Sequence, residues 1–192
     1  MKPWLLNILA CPIDKHHPLD AHLFSWETGE EEMSALAKDA GQPDDKHEKG
    51  YKQVAKQLID GTISSPAIRK IKDQSGSKSS AGLLAVAVDV LNRLGKLQGP
   101  CEEDLLKENR RDLDALYRFM NLIEVDAGLL VCPECGRWYP IGSAVETIPE
   151  MLPDDLREKD RDLEWMEKWK ELIPAQVLEE GTPYNLKDKE TV

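Results

Sequence analysis

The stretch Leu129-Leu-Val-Cys132-Pro-Glu-Cys135-Gly-Arg-Trp-Tyr-Pro-Ile141 constrains this chain more than any other. It sets a Cys-x-x-Cys-Gly turn between two short apolar strands. In such a turn both sulfurs point to one side, loop amides donate toward them, and Gly136 can take the positive φ that a residue with a Cβ resists. That is half of a tetrahedral zinc site, and it asks for a second pair of ligands. Cys11-Pro-Ile-Asp14-Lys15, near the N-terminus, has the same frame with Asp14 where the second cysteine would stand. The spacing fits, but the ligand is harder and oxygen-based. Asp14 reads either as the fourth ligand or as a side chain capping its own turn.

A redox Cys-x-x-Cys needs its nucleophilic thiol at a helix N-terminus after a strand. Here Gly136 and a further strand follow, so the metal reading is preferred. Cys101, after Gly99-Pro100, has no partner in register and reads as a helix-start residue. Four cysteines, two of them spaced Cys-x-x-Cys, suit a reducing compartment better than a secreted disulfide framework and place the chain in the cytoplasm. Only Met1 and Lys2 precede the apolar run from Pro3 to Ala10, too little leader for a secretory signal. The run from Ala81 to Val90 is broken by Asp89 and falls short of the ~20 residues that span a bilayer, so no membrane segment is expected.

A length of 192 residues, 41% of them hydrophobic, suffices for one ordinary domain or two small ones. Trp4 to Leu9 reads as a short helix, apolar on all sides except at Asn7, and Pro18 to Phe24 as a half-buried strand. From Ser25 to Met120 the periodicity is helical, over 27–40, 51–60, 80–97 and 102–120, with Gly and Pro breaks between. Asn121–Asp126 and Leu129–Val131 read as a hairpin turning at Asp126-Ala-Gly128, and Arg137–Ile141 as the next strand. Asp154 to Ile173 reads as an amphipathic helix with Leu156, Leu163, Met166, Trp169 and Leu172 on one side. The expected fold class is α+β. A small antiparallel zinc-ribbon-like sheet with an N-terminal helix and a C-terminal amphipathic helix occupies 1–24 plus 121–173. A helical insertion between strands one and two occupies 25–120, and 174–192 is a tail.

Leu5-Leu-Asn-Ile-Leu-Ala-Cys11-Pro, Val125 to Ile141 and Ile148-Pro-Glu-Met-Leu152 together resemble the tRNA methyltransferase one-twelve family, in an archaeal-type form with a helical insertion. These are small, non-catalytic activator subunits of S-adenosylmethionine-dependent methyltransferases. The resemblance implies a zinc-ribbon-like domain that pairs an edge strand and an apolar surface with a class I methyltransferase, as a heterodimer. Family members serve enzymes that modify tRNA and translation release factor, so those substrates would be met only through the partner, which alone would bind S-adenosylmethionine. The departure lies at the first ligand pair, where relatives have Cys-Pro-x-Cys. The implied ligands are Cys11, Asp14, Cys132 and Cys135, and the wider spacing of eukaryotic members offers His16 in place of Asp14.

Trp138, Ile141, Ile148, Met151 and Leu152 are the candidate partner surface. A domain this small cannot bury both faces of its sheet alone, and Pro149 and Pro153 remove amide donors beside the strand edge. Arg69, Lys70, Lys72 and Lys78 read as a solvated face, or as an extension of a phosphate track should the partner act on tRNA. With 36 acidic and 25 basic residues the net charge of −11 repels phosphate backbones. That disfavours the alternative, a zinc-ribbon module binding RNA or a transcription or translation assembly directly. No Gly-rich cofactor loop, nucleophile motif or acid/base constellation is legible, so an enzyme is not expected.

Overall fold

The structure, a computed structural model, describes residues 1–97 and 99–189; the end of the expected tail, 190–192, lies outside the described residues. A 3-10 turn, Pro3–Asn7, opens the chain, followed by β1 (Asp20–Trp26), α1 (Glu30–Lys38), α2 (Glu48–Ile59) and α3 (Ser65–Arg69). Then come β2 (Ile71–Asp73), α4 (Lys78–Leu94), α5 (Glu102–Glu108) and α6 (Arg110–Tyr117). A π-helical turn, Arg118–Leu122, leads from α6 into β3 (Val125–Val131), and β4 (Trp138–Ile141), α7 (Lys159–Trp169) and α8 (Ala175–Glu180) complete the order. No described helix is long and apolar enough to cross a membrane.

The fold is α+β, around a four-stranded sheet ordered β2-β1-β3-β4. β1 pairs antiparallel with β3, β3 antiparallel with β4, and β2 parallel with β1. The sheet is therefore mixed rather than antiparallel. The added strand, Ile71-Lys-Asp73, comes from the segment read as helical, and three residues with two charges are too few to display a strand period.

The expected hairpin at Asp126-Ala-Gly128 is absent; these residues lie inside one continuous β3. The irregularity that suggested a turn is a bulge, with register shifts opposite Leu23, Ser25 and Trp26. Gly128 serves close approach rather than turning, since a Cβ there would lie 2.7 Å from the His22 carbonyl oxygen of β1. Residues 121 and 122 belong to the π-helical turn. At the N-terminus, Asn7 is buried: its amide donates to the Trp4 carbonyl at 3.1 Å and its oxygen accepts from the Ser64 amide at 3.0 Å. Ile8 is exposed instead.

Side-chain alternation sends the sheet's apolar residues to two sides, and the chain covers both. Ala21, Leu23, Ile71, Leu130, Tyr139 and Ile141 join a core with Met33, Tyr51, Val54, Leu83, Leu113 and Leu116 from the helices between β1 and β3. Phe24, Ala127, Leu129 and Trp138 form a second cluster with Leu163, Trp165, Met166, Ile173 and Val177 from the C-terminal segment. The C-terminal helix starts five residues later than expected, because Arg157 leaves the helical path. Its guanidinium lies 4.5 Å from the Trp138 ring centroid and pairs with buried Asp162 at 2.7 Å. This turns the apolar face so that Leu156 is exposed and Trp165 is buried.

His22 sits buried on β1 with Nδ1 3.2 Å from the Gln74 side-chain oxygen. Burial, reinforced by the Lys72 charge, holds its pKa below the ordinary 6.5. The unfolded chain therefore binds more protons just below that value, so stability is present above it and declines as pH falls through it toward the depressed folded value. The expected loss is at most about 1.4 kcal/mol per pH unit. Melting curves between neutrality and mild acid should fall less steeply in His22→Gln than in the unmodified chain; identical slopes would remove His22 from the account.

Candidate metal centre

Two turns of the same form meet at one end of the sheet. In the second, the Cys132 amide donates to the Arg137 carbonyl at 2.8 Å and the Gly136 amide donates back to the Cys132 carbonyl at 3.0 Å. In the first, the Cys11 amide donates to the His16 carbonyl at 3.0 Å and the Lys15 amide to the Cys11 carbonyl at 2.9 Å. The sequence offsets are identical, and so is the backbone twist that closes each turn: φ is 65° at Lys15 and 68° at Gly136. Asp14 thus occupies in the first turn the place of Cys135 in the second.

The pairing of β1 with β3 brings these turns together, with Asp20 opposite Val131 in register. One ligand atom from each of Cys11, Asp14, Cys132 and Cys135 lies within 4.8 Å of all the others. The Cys11 and Cys135 sulfurs are 3.8 Å apart. Zinc–sulfur bonds of about 2.3 Å in a tetrahedron put two sulfurs roughly 3.8 Å apart, so this spacing suits the ion. The Asp14 carboxylate accepts from the Cys132 thiol, with its two oxygens 3.3 and 3.6 Å from the sulfur. The donor set of three sulfurs and one oxygen fits zinc and could hold it with all four positions filled by protein.

The electrostatics point the same way. The His16 amide, 2.9 Å from Asp14 Oδ1, holds that carboxylate far below the usual range, so Asp14 both caps its turn and presents a charged oxygen. Burial pushes the Cys132 thiol up to about 12, against the pull of the Cys135 and Glu134 amides. A metal ion would supply the positive charge that the buried thiolate lacks. The Tyr139 hydroxyl and Cys11 Sγ share a hydrogen bond at 3.1 Å. Arg137 stands beside Cys135 and is anchored by Asp154, at 2.7 Å. Sequence reasoning singled out neither Tyr139 nor Arg137; their alternation about Trp138 on the strand leaving the second turn was the available signal.

His16 stays outside the cluster, its Nδ1 3.8 Å from Glu134, because its backbone is spent closing the first turn. Cys101 is the cap of α5, its sulfur accepting from the Asp104 amide at 3.4 Å. Of the basic cluster, Arg69 bonds Asn92, Lys70 pairs with Asp20 at 2.8 Å, and Lys72 and Lys78 are exposed.

The expected partner surface divides. Trp138 and Ile141 are fully buried, one in each core cluster, and are not surface at all. The β4 edge beside them is also closed within the chain. Gly136 carbonyl and Trp138 amide bond to Thr182 at 3.2 and 3.1 Å, the Trp138 carbonyl accepts from Arg157 at 2.7 Å, the Pro140 carbonyl from the Glu150 amide at 2.8 Å, and the Gly142 amide donates to Ile148 at 3.1 Å. The premise that so small a sheet leaves one face bare fails because residues between Leu163 and Leu186 cover it. Ile148 is half exposed, and Met151 and Leu152 are partly so.

Fold and site together define an α+β protein whose N-terminus and β3–β4 connection build a two-turn candidate metal centre. The Trm112p-like protein family matches residues 2–142, and the chain belongs to that family. It is a family of methyltransferase activators. No curated protein matches the chain.

Purified from zinc-supplemented medium, the chain should carry about one zinc, and chelation should lower its melting temperature. Affinity should rise with pH, since thiols must lose protons to bind the ion. Tyr139→Phe should weaken binding about ten- to hundred-fold, by loss of the hydroxyl on Cys11. Metal-free protein by elemental analysis, with unchanged melting on chelation, would sink the site.

Proposed function

We propose that this protein is a non-catalytic subunit that heterodimerises with class I S-adenosylmethionine-dependent methyltransferases modifying tRNA and translation release factor. In this reading 1–24 with 121–173 forms the activating unit, 25–120 is an inserted segment, and the cofactor is bound by the partner alone. The observation that carries it is the family match over residues 2–142. The candidate metal centre supports a structural role, because an ion held by four protein ligands keeps no open position for water or substrate.

The docking surface proposed is the segment after β4. Val145, Ile148 and Leu156 along it are exposed by 55, 50 and 59%. Met151 and Leu152 lie between them, half-buried. Large apolar side chains this exposed and this close in sequence are what a partner covers. The net charge of −11 and the tethering of Arg69 and Lys70 favour a protein partner over RNA.

Affinity purification of the tagged chain from its own cell extract, followed by mass spectrometry, should recover a class I methyltransferase. Ile148→Asp should fold normally, since the side chain faces water, yet lose that enzyme. Burying an unpaired charge costs on the order of 3–5 kcal/mol, at least a hundredfold in affinity. A folded variant that still retains the enzyme would move the interface elsewhere, and micromolar S-adenosylmethionine binding by the chain alone would overturn the non-catalytic reading.

A further inference from the structure

The family match ends at residue 142, just past the end of β4, yet the second hydrophobic cluster is built largely from residues 163–177. Residues 157–187 cover the Phe24, Ala127, Leu129 and Trp138 face and also close the first half of the β4 edge. They do so without a strand. Thr182 meets β4 through an isolated bridge to Arg137, and a side chain, Arg157, satisfies the Trp138 carbonyl. Gly136 carbonyl and the Trp138 amide and carbonyl are spaced as a strand presents them, and one extended backbone could satisfy all three.

The cover is also where the interior is least satisfied. Arg157 Nη2, Arg161 Nε, Asp162 Oδ1 and the Trp165 and Trp169 indole nitrogens are buried without a hydrogen-bond partner among the described residues. Buried polar groups left unpaired oppose the packing that buries them. The first cluster, which contains Cys11 and Cys132 of the candidate metal centre, includes none of these residues, so the cover can leave without opening that core.

We infer that residues 157–187 are a displaceable cover standing in for the partner: an extended strand of the methyltransferase takes the Gly136–Trp138 edge and the Trp138 face when the cover opens. This rests on the activator reading. The uncovered edge would be continuous with the exposed Ile148 segment, which already runs along the second half of β4 through Glu150 and Ile148.

Native-state hydrogen exchange of the full chain, with zinc added and low denaturant varied, tests the cover without any partner. The amides of Val177, Gly181, Thr182 and Trp138 should share one opening, at least about tenfold more populated than the opening that exposes Leu130 and Phe119. Exchange of both sets only through global unfolding would overturn the proposal. In the co-purification experiment, Thr182→Pro, which lacks the amide that bonds Gly136, should capture several-fold more methyltransferase than the unmodified chain. Equal or lower capture by a folded variant counts against the cover. If neither chain captures a methyltransferase, the activator reading falls, and the exchange result alone decides whether the cover opens.

Discussion

The pairing of β1 with β3 is the constraint on which the rest depends. It joins segments about a hundred residues apart in sequence, and its register, Asp20 against Val131, fixes where two separate turns meet. A slip by one residue would turn Ala21 and Leu23 away from the helices and carry Cys11 and Asp14 off Cys132 and Cys135. The buried N-terminal amine holds the same arrangement from the other end. It donates to the Val125 carbonyl at 2.5 Å and pairs with Glu124 at 3.3 Å, while the Val125 amide returns a bond to the Met1 carbonyl at 2.8 Å. An ion across the two turns would clamp a long loop closed, the arrangement in which a crosslink removes most freedom from the unfolded chain.

Covering both sheet faces has its own physical cost. Asp162 and Arg157 are wholly buried as a pair, and removing such charges from water offsets much of their attraction unless other bonds complete the shell. Arg157 finds the Trp138 carbonyl and ring, but one nitrogen and one Asp162 oxygen have no hydrogen-bond partner among the described residues. The Asp114 cluster in the helical layer contrasts with it. There the carboxylate takes the Tyr51 hydroxyl and the Gly41 amide, each at 2.8 Å, and the Arg118 guanidinium, so both oxygens are occupied. Two buried carboxylates in one chain thus sit in differently completed shells, and the less complete one lies in the C-terminal cover.

Much of this was legible in the sequence where the signal is local. The two Cys-Pro turns, β1, β4 and the helices over 48–59 and 78–94 follow from spacing and period. What escaped depends on distant residues. Asn7 is buried because Ser64 bonds it, β2 exists because β1 offers an edge, and Arg157 breaks the helix because Trp138 lies beneath it. Trp138 looked like surface because the tail beyond residue 173 carried too weak a pattern to be credited with covering a sheet, whereas Ile141 is buried on the other face among the helices between β1 and β3. Val177 and Thr182 do that with one buried methyl cluster and two backbone bonds, and neither leaves a periodic trace.

Asp14 stands in the first turn where Cys135 stands in the second, which alters the ligand's hardness but not its charge. Three thiolates with a carboxylate carry the same total charge as four thiolates, so the field that a zinc ion would neutralise is preserved. The carboxylate suits the place it occupies. Asp14 is the exposed member of the set, already ionised by the His16 amide, whereas Cys11 and Cys132 are fully buried and Cys135 half so. A soft ligand contributes most where water is excluded, and a hard one loses least where water competes. Lys15 holds a positive φ that glycine would adopt more readily. The first turn therefore keeps its shape without either residue that defines the second, which places the determinant of that shape in the pairing of Cys11 with His16 and Lys15 rather than in the ligand type.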